Sequence, residues 1–205
     1  MERRELLKII AVLTGSALVG GNVFLSGCKT SVKKGEGLLS VDDIALLDEV
    51  GDTIIPVTDT PGAKAAKVGE FMNVYVGDCY RADQQKAFTE GLVALDKACD
   101  KQFSKKFGSL TVAERTTLLT ALEAEAKAYN QQIKDKEQAA RDAAKKDMKE
   151  FNGAPLHYYT MIKQLTLMGY FTSEIGMKQA LRFLPVPGKY DGAFPYKKGD
   201  KAWAI

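Results

Sequence analysis

Ser40-Val41-Asp42-Asp43-Ile44-Ala45-Leu46-Leu47-Asp48-Glu49-Val50-Gly51-Asp52-Thr53-Ile54-Ile55-Pro56 reads as one helix with both ends marked. Ser40 followed three residues on by Asp43 resembles a capping box, in which each side chain serves the other's backbone N–H. Ile44, Leu47, Val50 and Ile54 recur at helical spacing, so one stripe is apolar. Pro56 ends the helix, because proline lacks the N–H and clashes with the preceding turn. The carboxylates Asp42, Asp43, Asp48, Glu49 and Asp52 are read as lying on a helix start, where they favour the dipole.

The same punctuation recurs downstream. Pro56-Val57-Thr58-Asp59-Thr60-Pro61-Gly62 is a rigid loop rich in turn residues. A second helix carries Phe71, Val74, Tyr75 and Val76 and ends near Cys79-Tyr80. Asp83 is expected to cap a third, with Phe88, Leu92, Leu95 and Ala98 on one face. Thr111 with Glu114 repeats the capping box before a long helix starting near Val112. Its first half holds Leu118, Leu119 and Leu122. From Gln131 to Lys149 it turns polar, which predicts either a solvated, protruding helix or partial disorder. Pro155 is expected at the first turn of the next helix, which carries Tyr158, Met161, Ile162, Leu165, Leu167 and Met168. Gly169 then interrupts, and Thr172 or Ser173 caps a short helix through Leu184. From Pro185 to Ile205 prolines, glycines and aromatics alternate with no helical period. No convincing period-2 run occurs, so the chain reads as all-α: a single helical domain, residues 38–205, with a long extended C-terminal tail.

The segment before that domain reads as an address. Arg3 and Arg4 precede a weakly apolar, uncharged stretch from Ile9 to Leu25, which ends in Leu25-Ser26-Gly27-Cys28. A charged head, an apolar middle and small residues before a cut site make a signal peptide. The two arginines resemble the twin-arginine export consensus, and Cys28 closes what looks like a lipobox. Residues 1–27 are then the signal, Cys28 the lipidation site, and residues 28–37 a polar tether. A retained anchor is the competing reading, although about 17 residues is near the lower limit for a span. The location implied is periplasmic, held to a membrane by lipid, with inner and outer membrane not distinguished.

A net charge of +3, with no basic run interleaved with aromatics, argues against a nucleic-acid surface. In an oxidising compartment, Cys79 and Cys99 form an even pair and a candidate disulfide; two separate reduced thiols are the alternative. Two cysteines with one histidine fall short of a structural zinc set. His157, the one histidine, has no nucleophile beside it in sequence and reads as structural. No glycine-rich phosphate loop and no Cys-x-x-Cys-His haem motif is present, so no catalytic, metal or cofactor residue is expected on this chain. The tail aromatics, Tyr190 and Trp203 among them, suit either a wrapped partner or packing back on the chain's own helices.

Several stretches resemble the gluconate 2-dehydrogenase subunit 3 family: Asp52-Thr53-Ile54-Ile55-Pro56, Thr58-Asp59-Thr60-Pro61-Gly62-Ala63, Asp78-Cys79-Tyr80, Leu165 through Gly176, Pro187 through Gly192, and Lys198 through Trp203. Ala193 stands near where some members are expected to carry a cysteine. The resemblance implies an accessory, non-catalytic role beside an FAD-dependent dehydrogenase of the GMC type acting on sugars or glycosides. FAD would belong to that partner, and a cytochrome c subunit often completes electron transfer. The small subunit commonly carries the twin-arginine signal, and the flavoprotein is exported with it. Thr58, Asp59, Thr60 and Pro61, Tyr170 and Phe171, and Tyr190 and Trp203 are the candidate interface residues. A stand-alone envelope lipoprotein, acting as a binding or structural module, is the alternative.

Overall fold

A computed structural model describes residues 37–186, 188 and 191–204. The export signal at Arg3 and Arg4, the lipidation site at Cys28 and the interface candidate Tyr190 lie outside the described residues. Among those described there are five α-helices and no strand: α1 Val41–Ile54, α2 Val68–Cys79, α3 Ala82–Phe103, α4 Val112–Lys146 and α5 Tyr158–Phe171. Short 3₁₀ turns at Ala63–Ala66 and Phe107–Ser109 join them, and a π turn at Gly176–Ala180 follows α5. The fold is all-α, as the periodicity predicts.

Both capping boxes form. Asp43 N–H donates to Ser40 Oγ at 3.1 Å while Asp43 Oδ2 accepts from Ser40 N–H at 3.0 Å. Thr111 and Glu114 make the same exchange at the start of α4. Each box satisfies donors that a helix start otherwise leaves open. The start of α2 has no side-chain cap of its own. Asp48 of α1 fills that role from across the interface, its Oδ1 accepting from Gly69 N–H at 2.8 Å. Burial pushes the Asp48 carboxyl above its ordinary range, against the pull of that same hydrogen bond.

α5 is the hub. It packs against α1, α2, α3 and α4 and buries Tyr159, Met161, Ile162, Leu165, Thr166, Gly169 and Tyr170. Leu47 and Val50 of α1, Met72 and Val76 of α2, Phe88 and Leu95 of α3, and Leu118 and Leu122 of α4 complete one continuous core. Such burial, at roughly 25 cal/mol per Å² of apolar surface, is the dominant stabilisation of the fold.

Four expectations need correction. α3 starts two residues earlier than a cap at Asp83 would allow: Arg81 is the cap, Gln84 Oε1 accepts from its N–H at 3.0 Å, and Asp83 lies in the first turn paired to the Arg81 guanidinium. Pro155 lies outside α5, whose cap is His157, accepting from Tyr159 N–H through Nδ1 at 3.3 Å. The residues around Pro155 are instead held against α4: Ala154 N–H donates to Glu137 at 2.7 Å and His157 N–H to Asn130 at 2.9 Å. Gly169 does not interrupt α5 but is buried within it, against the Phe71 ring. The helix after it ends at Ala180 as a π turn rather than running to Leu184.

The polar half of α4 is helical through Lys146. At 1.5 Å per residue its 35 residues span about 52 Å. The segment returning from its tip covers part of it, with Phe151 under the Arg141 guanidinium at 5.0 Å.

The bridge expected between Cys79 and Cys99 is not formed; both are free thiols. Cys79 ends α2 on the surface, whereas Cys99 is fully buried in α3 among core residues. Burial pushes the Cys99 thiol up to about 11.

Candidate partner interface

Two of the candidate segments meet in space. The loop after α1 is closed at its base by Ala63 N–H donating to the Ile55 carbonyl at 2.9 Å, and braced at its tip by Thr58 N–H donating to the Thr60 carbonyl at 2.9 Å. Glycine is required at 62 by close approach: a Cβ there would lie 2.3 Å from Asp52 Oδ1 and 2.9 Å from the Ile55 carbonyl. The loop therefore carries Val57, Thr58 and Asp59 outward in one shape, with all three exposed. Tyr170 at the end of α5 reaches the loop, its hydroxyl donating to the Pro61 carbonyl at 2.6 Å.

That bond redefines Tyr170. Its ring is fully buried, so it fixes the loop from beneath and presents nothing to a partner. Phe171, whose ring meets that of Tyr170 edge-on at 5.1 Å, is the exposed neighbour. After it the chain reverses: Ser173 Oγ donates to the Tyr170 carbonyl at 2.7 Å and accepts from Gly176 N–H at 3.0 Å. A Cβ on Gly176 would fall 2.0 Å from the Tyr170 carbonyl oxygen, so only glycine fits this turn.

Trp203 belongs to a third feature. The tail does not run free but folds back onto Arg182. Arg182 N–H donates to the Ala202 carbonyl, and Ala204 N–H to the Arg182 carbonyl, each at 2.8 Å. The Arg182 guanidinium lies against the rings of Phe194 (5.8 Å) and Trp203 (5.4 Å) and pairs with Asp200 at 3.1 Å. The Asp200 carboxyl is held below its ordinary range, first by the Lys197 backbone N–H and then by Arg182. The sequence offered no signal for Arg182, since an arginine between a helix end and a proline carries no pattern of its own.

A cavity of about 230 Å³ lies elsewhere, lined by Tyr75, Tyr80, Leu156, Met161 and Met168 together with Gln84 and Gln164. Among the described residues no three of His, Cys, Asp or Glu stand together to hold a metal, and no helix is long and apolar enough to cross a membrane. His157 is a buried cap between the Tyr129 and Tyr158 rings, with Glu125 at 3.8 Å from Nε2. The Glu49 carboxylate joins Lys64 and Arg115, and these hydrogen bonds lower it below its ordinary range. Both arrangements hold elements together.

An all-α module whose shaped, exposed features are loops is suited to binding another chain. The family model described as gluconate 2-dehydrogenase subunit 3 matches residues 41–188, and the chain belongs to that family. It is thereby an accessory subunit of a dehydrogenase complex. No curated protein and no solved structure matches the chain.

Proposed function

We propose that this chain is the small, non-catalytic subunit of a periplasmic, FAD-dependent, GMC-type sugar or glycoside dehydrogenase. It carries the export signal for the pair and serves export, maturation or membrane attachment of the flavoprotein. The observation that carries the reading is the coincidence of two features on one chain. Its domain belongs to a dehydrogenase subunit family, and its first residues read as a twin-arginine lipoprotein signal ending at Cys28. Twin-arginine export moves proteins already folded, which is what a flavin-loaded enzyme requires. FAD sits in the partner, a cytochrome c takes the electrons onward, and this chain holds no cofactor. The lipid on Cys28 tethers the assembly, since each buried methylene of an acyl chain contributes about 0.8 kcal/mol.

The test is export of the partner. With Arg3→Lys and Arg4→Lys together, the flavoprotein should remain in the cytoplasm beside this chain. A flavoprotein that still reaches the periplasm in full amount would refute the shared signal. Cys28→Ser should instead leave export intact and move dehydrogenase activity from the membrane to the soluble periplasmic fraction.

A further inference from the structure

We infer that the C-terminal clasp, formed by residues 181–186 and 191–204 closed on Arg182, is the element that grips the dehydrogenase's catalytic subunit, and that it seats on an apolar patch rimmed by acidic groups. The inference rests on the reading above that this chain binds such a subunit.

Three observations carry it. Among the described residues the clasp is held in shape without being buried. Two backbone hydrogen bonds, an ion pair and two cation–ring contacts fix it, yet Phe194, Tyr196 and Trp203 remain 50%, 76% and 47% exposed. Exposed aromatic rings on a segment held in one shape are expensive to leave in water, and monomers rarely expose such patches without a use. A pre-shaped segment loses little freedom on docking, so more of its contact energy appears as affinity.

The second observation is charge. Residues 181–205 hold five basic residues (Arg182, Lys189, Lys197, Lys198, Lys201) against two acidic ones (Asp191, Asp200), a net of +3, and the whole chain also carries +3. Residues 37–180 hold 18 basic and 21 acidic residues, a net of −3, so within the folded domain the tail is the positively charged element. Arg182 is engaged with Asp200 and Lys201 donates to the Gln179 carbonyl, whereas Lys197 and Lys198 are exposed. Complementary charge at a rim steers association and selects the partner.

The third is that a partner of this class is given by the family itself. A protein surface uses a fixed shape, whereas a lipid surface needs only charge and aromatic character, so the Arg182 closure favours the subunit over the membrane.

The experiment uses the full chain and the catalytic subunit co-purified from one host, with the dissociation constant measured at low and moderate salt. Trp203→Ala should weaken binding about tenfold or more, as truncation of a buried interface anchor does. Lys197→Glu with Lys198→Glu should weaken it further and flatten its salt dependence. Arg182→Met, which opens the clasp without removing a contact residue, should also weaken it while helical circular dichroism stays unchanged. If the wild-type complex forms and all three variants bind within twofold of it, the clasp assignment is wrong and the accessory-subunit reading stands. No wild-type complex at all would sink both. Variants that lose binding to anionic phospholipid vesicles, yet keep the subunit, would give the clasp to the membrane and overturn the proposal.

Discussion

The Tyr170 hydroxyl donates a 2.6 Å hydrogen bond to the Pro61 carbonyl, joining the last turn of the central helix to a loop 109 residues earlier in the chain. The bond converts burial of one ring into the position of an exposed loop. Tyr170→Phe keeps the ring and orphans the carbonyl. It should cost about 1 kcal/mol, which lowers the melting temperature by roughly 2–4 °C for a domain of this size. An unchanged melting temperature would mean that the loop is held by its own Ile55–Ala63 and Thr58–Thr60 bonds alone.

Gly176→Ala meets a harder obstacle, because the added methyl group would overlap a backbone oxygen with no side chain to give way. The π turn must shift or open, at a cost of about 1–3 kcal/mol by the usual scale of overpacking. Denaturant unfolding should show a lower midpoint with an unchanged slope. Gly77→Ala, where a Cβ meets nothing within 4 Å, is the control and should not destabilise.

Acid should weaken the fold through His157. Burial lowers its pKa from the ordinary value of 6.5, against a smaller opposing pull from Glu125, and its Nδ1 must stay unprotonated to accept from Tyr159 N–H. Because the folded value lies below the unfolded one, the unfolded chain takes up the proton first. Stability is complete above about pH 6.5 and falls as the pH drops toward the folded value. Urea unfolding at about pH 7.5 and about pH 5.5 should differ, and His157→Gln should narrow the difference while lowering stability at the higher pH. A wild-type midpoint that does not move would contradict this.

The two thiols should separate by reactivity. Cys79 is exposed and Cys99 buried with its thiol raised to about 11. A maleimide should label Cys79 in the folded protein and Cys99 only after denaturant, read by peptide mass. Equal protection of both without reductant, lost on reduction, would restore the bridge between them.

These residues also mark what was legible in the sequence. The caps Ser40–Asp43 and Thr111–Glu114 were readable because both partners lie three residues apart. The caps that escaped, Asp48 on α2 and the Asn130 and Glu137 bonds that hold the irregular segment before α5, join residues 17 to 27 positions apart and have no local signature. Pro155 misled for the same reason, since a proline suited to a first turn is equally suited to an extended segment. That Cys79 and Cys99 make a pair said nothing about burial, which depends on which face of α3 meets α5. Among the interface candidates, sequence could place Tyr170 beside Phe171 but not decide that one ring faces the core and the other solvent. Arg182 organises the tail through contacts to Phe194 and Trp203, and only the folded chain brings those three together.

The central claim is that this chain exists as half of an assembly. Its most direct measurement is size-exclusion chromatography of the full chain co-expressed with the candidate flavoprotein, followed at the flavin absorbance. A single stoichiometric peak containing both chains, with the flavin bound to the larger, is the result expected. Two separate peaks, with the flavoprotein active and exported without this chain, would contradict it.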